Sequence, residues 1–510
     1  MAQEKSQLKI GIALNYVNMI LGNLIPIIYT PIMLALLGKS EYGLYKLAAS
    51  VASYLSLISM GLGSAITRYL IKSREEEGKE AEERMLGLFD VIFNVIAVAA
   101  LIVGIALTFA LPRWYSNSLS ASELGRMQLL VFLMAINTAL SFSQSPYLSA
   151  VNAHENFIFL QCMNIVQTCG VPCLNLVALY LGFGSVGMTI AAMAASILTR
   201  IAYQIYVRRK MHLRAQLKGL PTDKLKEIIV FSFWIFVANV VGQLYNATDT
   251  VMIGLIPALA TTGVAIYSVG GTFNGIMFSL TTGISSLLAP KTNKMVFQGA
   301  SNKELTDLAI QVGRIQGYIM VLIISGFVAF GRPFIQFYVG DAYSDAYWVA
   351  ILMMIPNMIP LVQSICLNVV VAQNKHKFRS LVYLGIAILN VVGTWFLMQT
   401  MGIIGAALMT GVAMVIGNGF VMNWYYHRKT GLDMIRFWKQ MGNVYIVPVL
   451  MCAATLLISK FIDFYKLPIL FTGIAIYTVI YCVLNWKFTM NTYEKRLIFG
   501  RLKKRRYRGI

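Results

Sequence analysis

Charge is scarce in this 510-residue chain: 12% of its residues are Asp, Glu, Lys or Arg, about half the share usual in soluble domains. Acid is scarcest, with 21 Asp and Glu against 42 Lys and Arg, for a net charge of +21. The cysteines form no framework. Cys162, Cys169, Cys173, Cys366, Cys452 and Cys482 all lie inside apolar runs, so neither a disulfide scaffold nor a zinc site is implied. Cys169 and Cys173 stand one helical turn apart, but no His or acid accompanies them, and they read as small core residues. No Walker A, nucleophile elbow or H-E-x-x-H motif occurs. That argues against an ATP-driven pump and against hydrolase chemistry. No metal and no cofactor is expected, and the chain does not read as an enzyme.

What is abundant is apolar surface. Hydrophobic residues make up 58% of the chain, and the mean hydropathy is +0.68. One soluble core cannot absorb that much, so the bilayer is the expected solvent. An apolar helix of about 20 residues spans it. Fourteen such stretches run through roughly 10–37, 44–70, 86–111, 126–148, 157–181, 186–206, 228–256, 264–290, 311–331, 347–371, 381–401, 403–425, 443–462 and 468–486. Only Gly182–Ser185 separates the fifth from the sixth, and only Met401–Gly402 the eleventh from the twelfth. The first is too long for a signal peptide, and no A-x-A-like site follows it.

The bases sit in alternate loops. With the N-terminus inside, thirty-three of the 42 fall in inside segments, chiefly 72–84, 208–226, 291–314, 428–439 and the C-terminal tail. Seven fall outside: Lys39, Lys46, Arg113, Arg126, Arg332, Lys460 and Lys466. This asymmetry places both termini in the cytoplasm. It also fits anionic lipid headgroups rather than nucleic acid, and the tail Arg501-Leu-Lys-Lys-Arg-Arg-Tyr-Arg508 reads as an anionic-lipid anchor. Glu75, Glu76, Glu77, Glu80, Glu82 and Glu83 read as a solvated cytoplasmic stretch. The outer loops are too short to hold an active site.

The chain also repeats itself at about 215–222 residues. Gly43-Leu-Tyr-Lys-Leu-Ala48 recurs as Ala265-Ile-Tyr-Ser-Val-Gly270, Asn175…Gly187 as Asn390…Gly402, and Phe157 as Phe378. Six helices per repeat is an even number, so both halves enter from the same side as parallel repeats. The expected organisation is an N-lobe over 1–210 and a basic linker over 211–227. A C-lobe over 228–430, two further helices over 431–490 and a basic tail over 491–510 follow.

Polar side chains recur along several apolar helices. Helix 7 carries Asn239, Gln243, Asn246 and Asp249 at spacings of 4, 3 and 3, one helical face. Helix 1 carries Asn15, Asn18, Gly22, Pro26 and Tyr29, and helix 2 carries Ser53, Ser56, Ser64 and Thr67. Helix 4 has Asn137, Ser141 and Gln144. Helix 8 has Asn274, Thr281 and Ser285, and helix 10 has Asn357, Ser364 and Asn368. Such stripes either line a cavity or hydrogen-bond neighbouring helices. Asp249 suits a coupling proton or cation, and equally solvation near the interface or a pairing with a neighbouring helix. Arg68, Arg314 and Lys291 stand near cytoplasmic helix ends, where they either meet a lipid pyrophosphate or snorkel to the interface. Pro26, Pro31, Pro356 and Pro360 are expected to break helices 1 and 10, as hinges or as static kinks.

In these residues the chain resembles the polysaccharide-flippase branch of the MOP superfamily, including Wzx-type O-antigen and capsule flippases. In the first half the matching pieces are Leu37-Gly38, Tyr42-Gly-Leu-Tyr45 and Met60-Gly-Leu-Gly63. In the second they are Asp249-Thr-Val-Met-Ile-Gly254, Tyr267, Leu288-Ala-Pro290, Asn390 and Gly402-Ile-Ile-Gly-Ala-Ala407. The resemblance implies an all-α integral membrane protein of MATE-like architecture, with two six-helix lobes and two C-terminal helices. It implies transport of an isoprenoid-pyrophosphate-linked oligosaccharide from the inner to the outer leaflet of a bacterial cytoplasmic membrane. The implied partners are that lipid-linked glycan, anionic lipids, a coupling H+ or Na+, and the polymerase or glycosyltransferases of the same pathway. The other reading is a cation-coupled drug or metabolite exporter of the same superfamily. Exporters of that branch commonly carry an acid in helix 1, and this chain has none between Glu4 and Glu41.

Overall fold

The computed structural model describes residues 2–373 and 375–496, and among them every regular element is helical. The chain divides into two compact units, Met1–Ser268 and Val269–Ile510. The first holds α1 (Ala2–Leu37), α2 (Lys39–Ser53), α3 (Leu62–Glu77), α4 (Lys79–Tyr115), α5 (Ala121–Ala153), α6 (Phe157–Tyr180), α7 (Gly184–Arg209) and α8 (Leu225–Leu255). It ends in the first turns of α9 (Ala260–Phe297). The second holds the rest of α9, then α10 (Asn302–Val339), α11 (Ala346–Val362), α12 (Ser364–Ala372), α13 (His376–Met414), α14 (Met422–Lys429), α15 (Met434–Ile458) and α16 (Leu467–Leu484).

In the first unit α4 packs along α5, α5 along α7, and α1 along α6, while α2 and α3 lie against α8. Ile66, Tyr69, Met85, Phe89, Phe93 and Tyr203 form its main core. In the second unit α10 is central, packed on α11, α15 and α16. Its core gathers Met277, Ile365, Cys366, Val369, Phe437 and Met441. Capping boxes start α5 (Ser120 with Glu123) and α10 (Ser301 with Glu304), so two long helices begin at defined residues.

The outward faces are apolar. On α4, Val95, Ile102 and Phe109 recur every seven residues and are 64%, 62% and 75% exposed. In water that stripe would be unfavourable; in hydrocarbon it is the ordinary lipid-facing surface. The protein is therefore a multi-pass membrane protein. Among the described residues twelve helices are long and apolar enough to cross, or thirteen if the bent pair Ala346–Val362 and Ser364–Ala372 is one span. Length and composition thus do not establish the expected fourteen. The remaining difference lies in the continuous 52-residue segment Phe378–Lys429, which contains both the eleventh and the twelfth stretch. Its backbone leaves the helical region at Gly402 (φ 59°, ψ −140°), where the sequence reading divides them.

Two expectations of continuity and breakage are corrected. The second stretch is not one helix. After Ser53 it tightens into a 3-10 turn, Tyr54–Ser59, and Met60 and Gly61 then take left-handed conformations (φ 47° and 71°). The hydroxyls of Ser53, Ser56 and Ser59 donate to the carbonyls three residues back, at 2.6, 2.7 and 2.9 Å. Such bonds compete with the helical ladder and suit a 3-10 path. The break resets the helical phase, so Ser53 and Ser56 do not share a face with Ser64 and Thr67 by spacing. Conversely, Pro26 and Pro31 lie inside an unbroken α1. Pro356 and Pro360 lie inside α11, and the 46° bend falls after them at Gln363.

Candidate functional site

A buried polar cluster of the first unit forms where α2, its 3-10 extension and α3 run antiparallel along α8. Leu47 abuts Gly254, Tyr54 reaches Thr248, Ser53 reaches Gln243, and Gly61 fits against Ser232, Ile235 and Phe236. Glycine is required at Gly61, whose backbone is left-handed and abuts backbone atoms of α8, whereas at Gly254 it leaves room for the end of the Leu47 side chain. A Cβ on Gly254 would lie 2.6 Å from Leu47, and one on Gly61 would lie 2.8 Å from the Phe236 nitrogen.

Asp249 sits at the centre of this seam and is 2% exposed. The Tyr267 hydroxyl on α9 donates to its Oδ2 at 2.6 Å. One residue back, Thr248 shares a 2.6 Å hydrogen bond with the Tyr54 hydroxyl. Two residues on, the Val251 carbonyl accepts from Tyr115 at the end of α4, at 3.2 Å. Gln243 donates its amide to Ser53. A carboxyl withdrawn from water and held by a tyrosine is suited to exchanging a proton or a cation when the helices around it rearrange.

The other expected residues divide by environment. Asn239 is exposed, and the side chain of Asn246 lies outside the described residues. On α1, Asn15 is exposed, while Asn18 accepts from Thr168 of α6 at 2.9 Å. On α5, Gln144 is buried and Asn137 holds a buried Oδ1 with no hydrogen-bond partner. Arg68 is exposed with its guanidinium 4.6 Å above the Phe231 ring, and Lys291 is exposed. The basic tail beyond Arg496 lies outside the described residues.

In the second unit Asn357 of α11 donates to Asn274 of α9 at 3.0 Å. Thr281, Ser285 and Ser364 converge on Gln316 of α10. The Gln316 amide donates to the Thr281 carbonyl and the Ser285 hydroxyl, and its Oε1 accepts from Ser364 at 3.0 Å. Gln316 is fully buried and was not singled out in the sequence, where it is one glutamine near a helix start.

Arg314 is not open to a headgroup. It is 3% exposed and paired with Glu494, Nε to Oε1 at 2.5 Å and Nη2 to Oε2 at 3.0 Å. It also donates to the carbonyls of Gln440 and Thr489 and to the Tyr318 hydroxyl. Glu82, expected in a solvated stretch, is instead a second buried acid, 1% exposed and 2.7 Å from His154. Neither Glu494 nor Glu82 stood out by spacing, because their partners are remote in the chain.

Comparison with known proteins adds four likenesses. Residues 8–294 match the family model described as polysaccharide biosynthesis protein. The uncharacterized membrane protein EpsK of Bacillus subtilis (strain 168) is 20% identical over 506 residues, covering 97% of this chain and 98% of that protein. The lipid II flippase MurJ in an inward closed conformation superposes with a TM-score of 0.72 at 15% identity, over 97% of this chain and 99% of that one. An inward-facing MATE family multidrug resistance transporter of the MOP superfamily superposes at 0.64 with 12% identity, over 82% and 99%. At such identities the solved structures establish the fold, all-helical and MurJ- and MATE-like.

Proposed function

The chain belongs to the polysaccharide biosynthesis protein family, and from that premise we propose that it carries an isoprenoid-pyrophosphate-linked oligosaccharide repeat unit from the inner to the outer leaflet of the bacterial cytoplasmic membrane. The solved structures that it resembles are those of a lipid II flippase and of a multidrug resistance transporter. The observation that carries the reading is the family match across residues 8–294, from α1 into α9, supported by a fold shared along 97% of the chain with a lipid flippase. Transport proceeds by alternating access between two lobes. The glycan headgroup moves through polar surroundings while the isoprenoid tail stays in lipid.

Asp249 is the coupling residue in this reading, taking up H+ or Na+ as its contact with Tyr267 is made and broken. Asn15, Asn18, Arg68, Asn137, Gln144, Asn239, Gln243, Asn246, Lys291 and Asn357 are the candidates for the translocation path. Both termini face the cytoplasm, anionic lipids hold the basic tail, and polymerase or glycosyltransferases act before and after the step. A cation-coupled exporter is favoured by one observation, the buried carboxylate within a MATE-like fold.

The deciding experiment uses a strain lacking the protein. Its isoprenoid-linked oligosaccharides are extracted and identified by mass spectrometry, and their leaflet is assigned by enzymatic accessibility. A complete, unpolymerised repeat unit accumulating on the inner leaflet is the expected result. An unchanged pool with unchanged leaflet distribution sinks the flippase reading and brings the exporter forward.

A further inference from the structure

The second unit ends, at the far end of α10, in a cleft of about 320 Å³. Arg332, Gln336, Asp341, Asp345, Trp348 and Tyr465 line it. Arg332 lies eighteen residues beyond Arg314, about 27 Å along the helix, so the cleft is remote from the Arg314–Glu494 pair. It does not involve Asp249 or any residue placed on the path above. Under the proposed orientation it faces the outer side.

Its composition is unlike that of a helix end serving only as a membrane anchor. Trp348 and Tyr465 present rings that are 43% and 51% exposed. The Arg332 guanidinium stands 5.2 Å from the centroids of both Tyr347 and Trp348, which fixes the cation and orients the indole. Two carboxylates share the cleft, yet neither forms an ion pair with Arg332. The Asp345 side chain does not cap the helix that follows it. An interfacial belt needs aromatic and basic residues and has no use for acids within the same cleft. Exposed rings beside carboxylates, an amide and a guanidinium held against aromatic rings match the chemistry of a sugar. The ring faces take the apolar C–H face of a pyranose, and the charged groups take its hydroxyls through charge-assisted hydrogen bonds. The volume is at the low end of the range of about 300–1,000 Å³ for small-molecule sites, which suits a short saccharide rather than a lipid tail.

We propose that this cleft is a saccharide-binding site that receives the glycan headgroup on the release side of the second unit. The proposal rests on the transport reading for its ligand. Binding there favours states in which the headgroup has already crossed.

The probe is the oligosaccharide released by mild acid from the host's own isoprenoid-linked pool. It is titrated calorimetrically into the purified full-length chain. Wild type is expected to bind with a Kd on the order of 1 mM. Trp348→Ala, and Asp341→Asn combined with Asp345→Asn, should weaken that by about tenfold or more. Trp348→Phe, which keeps a ring, should retain most of it. Thermal unfolding of each variant separates loss of binding from loss of fold. Undetectable binding to wild type overturns the proposal. So does equal affinity in wild type and in the ring and carboxylate variants. A Trp348→Ala protein that is less stable but binds equally well identifies a membrane anchor instead. The leaflet assay is independent of binding. A chain that translocates but does not bind here refutes the cleft alone; a chain that binds here while the lipid-linked pool is unaffected refutes the transport reading alone.

Discussion

At Asp249 the proposed coupling proton or cation would change the local balance of forces. Its carboxyl is buried and accepts from Tyr267, and a hydrogen bond to a charged group contributes about 1.5–3 kcal/mol. Whatever neutralises the carboxylate weakens the tie between α8 and α9. Asp249→Asn keeps the shape and removes the titration. It is expected to abolish the response to an imposed proton or sodium gradient in reconstituted vesicles while the protein still folds. Tyr267→Phe leaves the acid titratable but removes this hydrogen bond, so transport should be reduced rather than lost. Full gradient-driven activity of Asp249→Asn would remove the residue from the mechanism. The position was legible in the sequence because an acid is rare in an apolar helix. Its partner was not. Tyr267 was visible as one tyrosine of a repeated segment and as a piece of the family resemblance, and spacing carries no information on which neighbouring helix a side chain meets.

At the level of elements, two contacts decide how helices are held. Gly61 combines a left-handed backbone with van der Waals contact to α8. Gly61→Ala adds about 1–2 kcal/mol of backbone strain and forces the α3 start away from Ser232, Ile235 and Phe236. A lower unfolding temperature in detergent is the expected outcome; an unchanged one would mean that the seam yields freely. The Arg314–Glu494 pair ties α10 to the segment following α16. Both side chains are 3% exposed, so Arg314→Met strands a buried carboxylate, at a cost of about 3–5 kcal/mol. Arg314→Met with Glu494→Leu should regain most of that, and a double-mutant cycle measures the coupling. Equal destabilisation by the single and double variants would show that packing, not charge, is what the pair supplies. Helices were readable along the chain because apolar runs of bilayer length are unambiguous. The break in the second stretch was hidden because serine and glycine are ordinary residues of membrane helices. Glu494 was hidden because its partner stands 180 residues away and its own neighbourhood reads as a basic tail.

For the whole molecule, orientation follows from where the bases lie. The segments 72–84 and 208–226 hold eleven of the 42 Lys and Arg between them, whereas the turn between α4 and α5 holds none. Insertion retains the basic segments on the cytoplasmic side, so the α4–α5 turn is expected outside and the α7–α8 connection inside. The structure makes the test practical, because Asn117 in the first and Lys218 in the second are both exposed. Cys162, Cys173 and Cys482 are also exposed, so the experiment needs a background in which all six native cysteines are replaced. In intact cells a membrane-impermeant maleimide should label Asn117→Cys, and should label Lys218→Cys only after permeabilisation. The reverse pattern would invert the protein, place the Arg332–Trp348 cleft on the side where the glycan is loaded, and turn a release site into an entry site. Labelling of both in intact cells would refute the two-sided arrangement itself, since the α4–α5 turn and the α7–α8 connection are separated by three membrane-spanning helices.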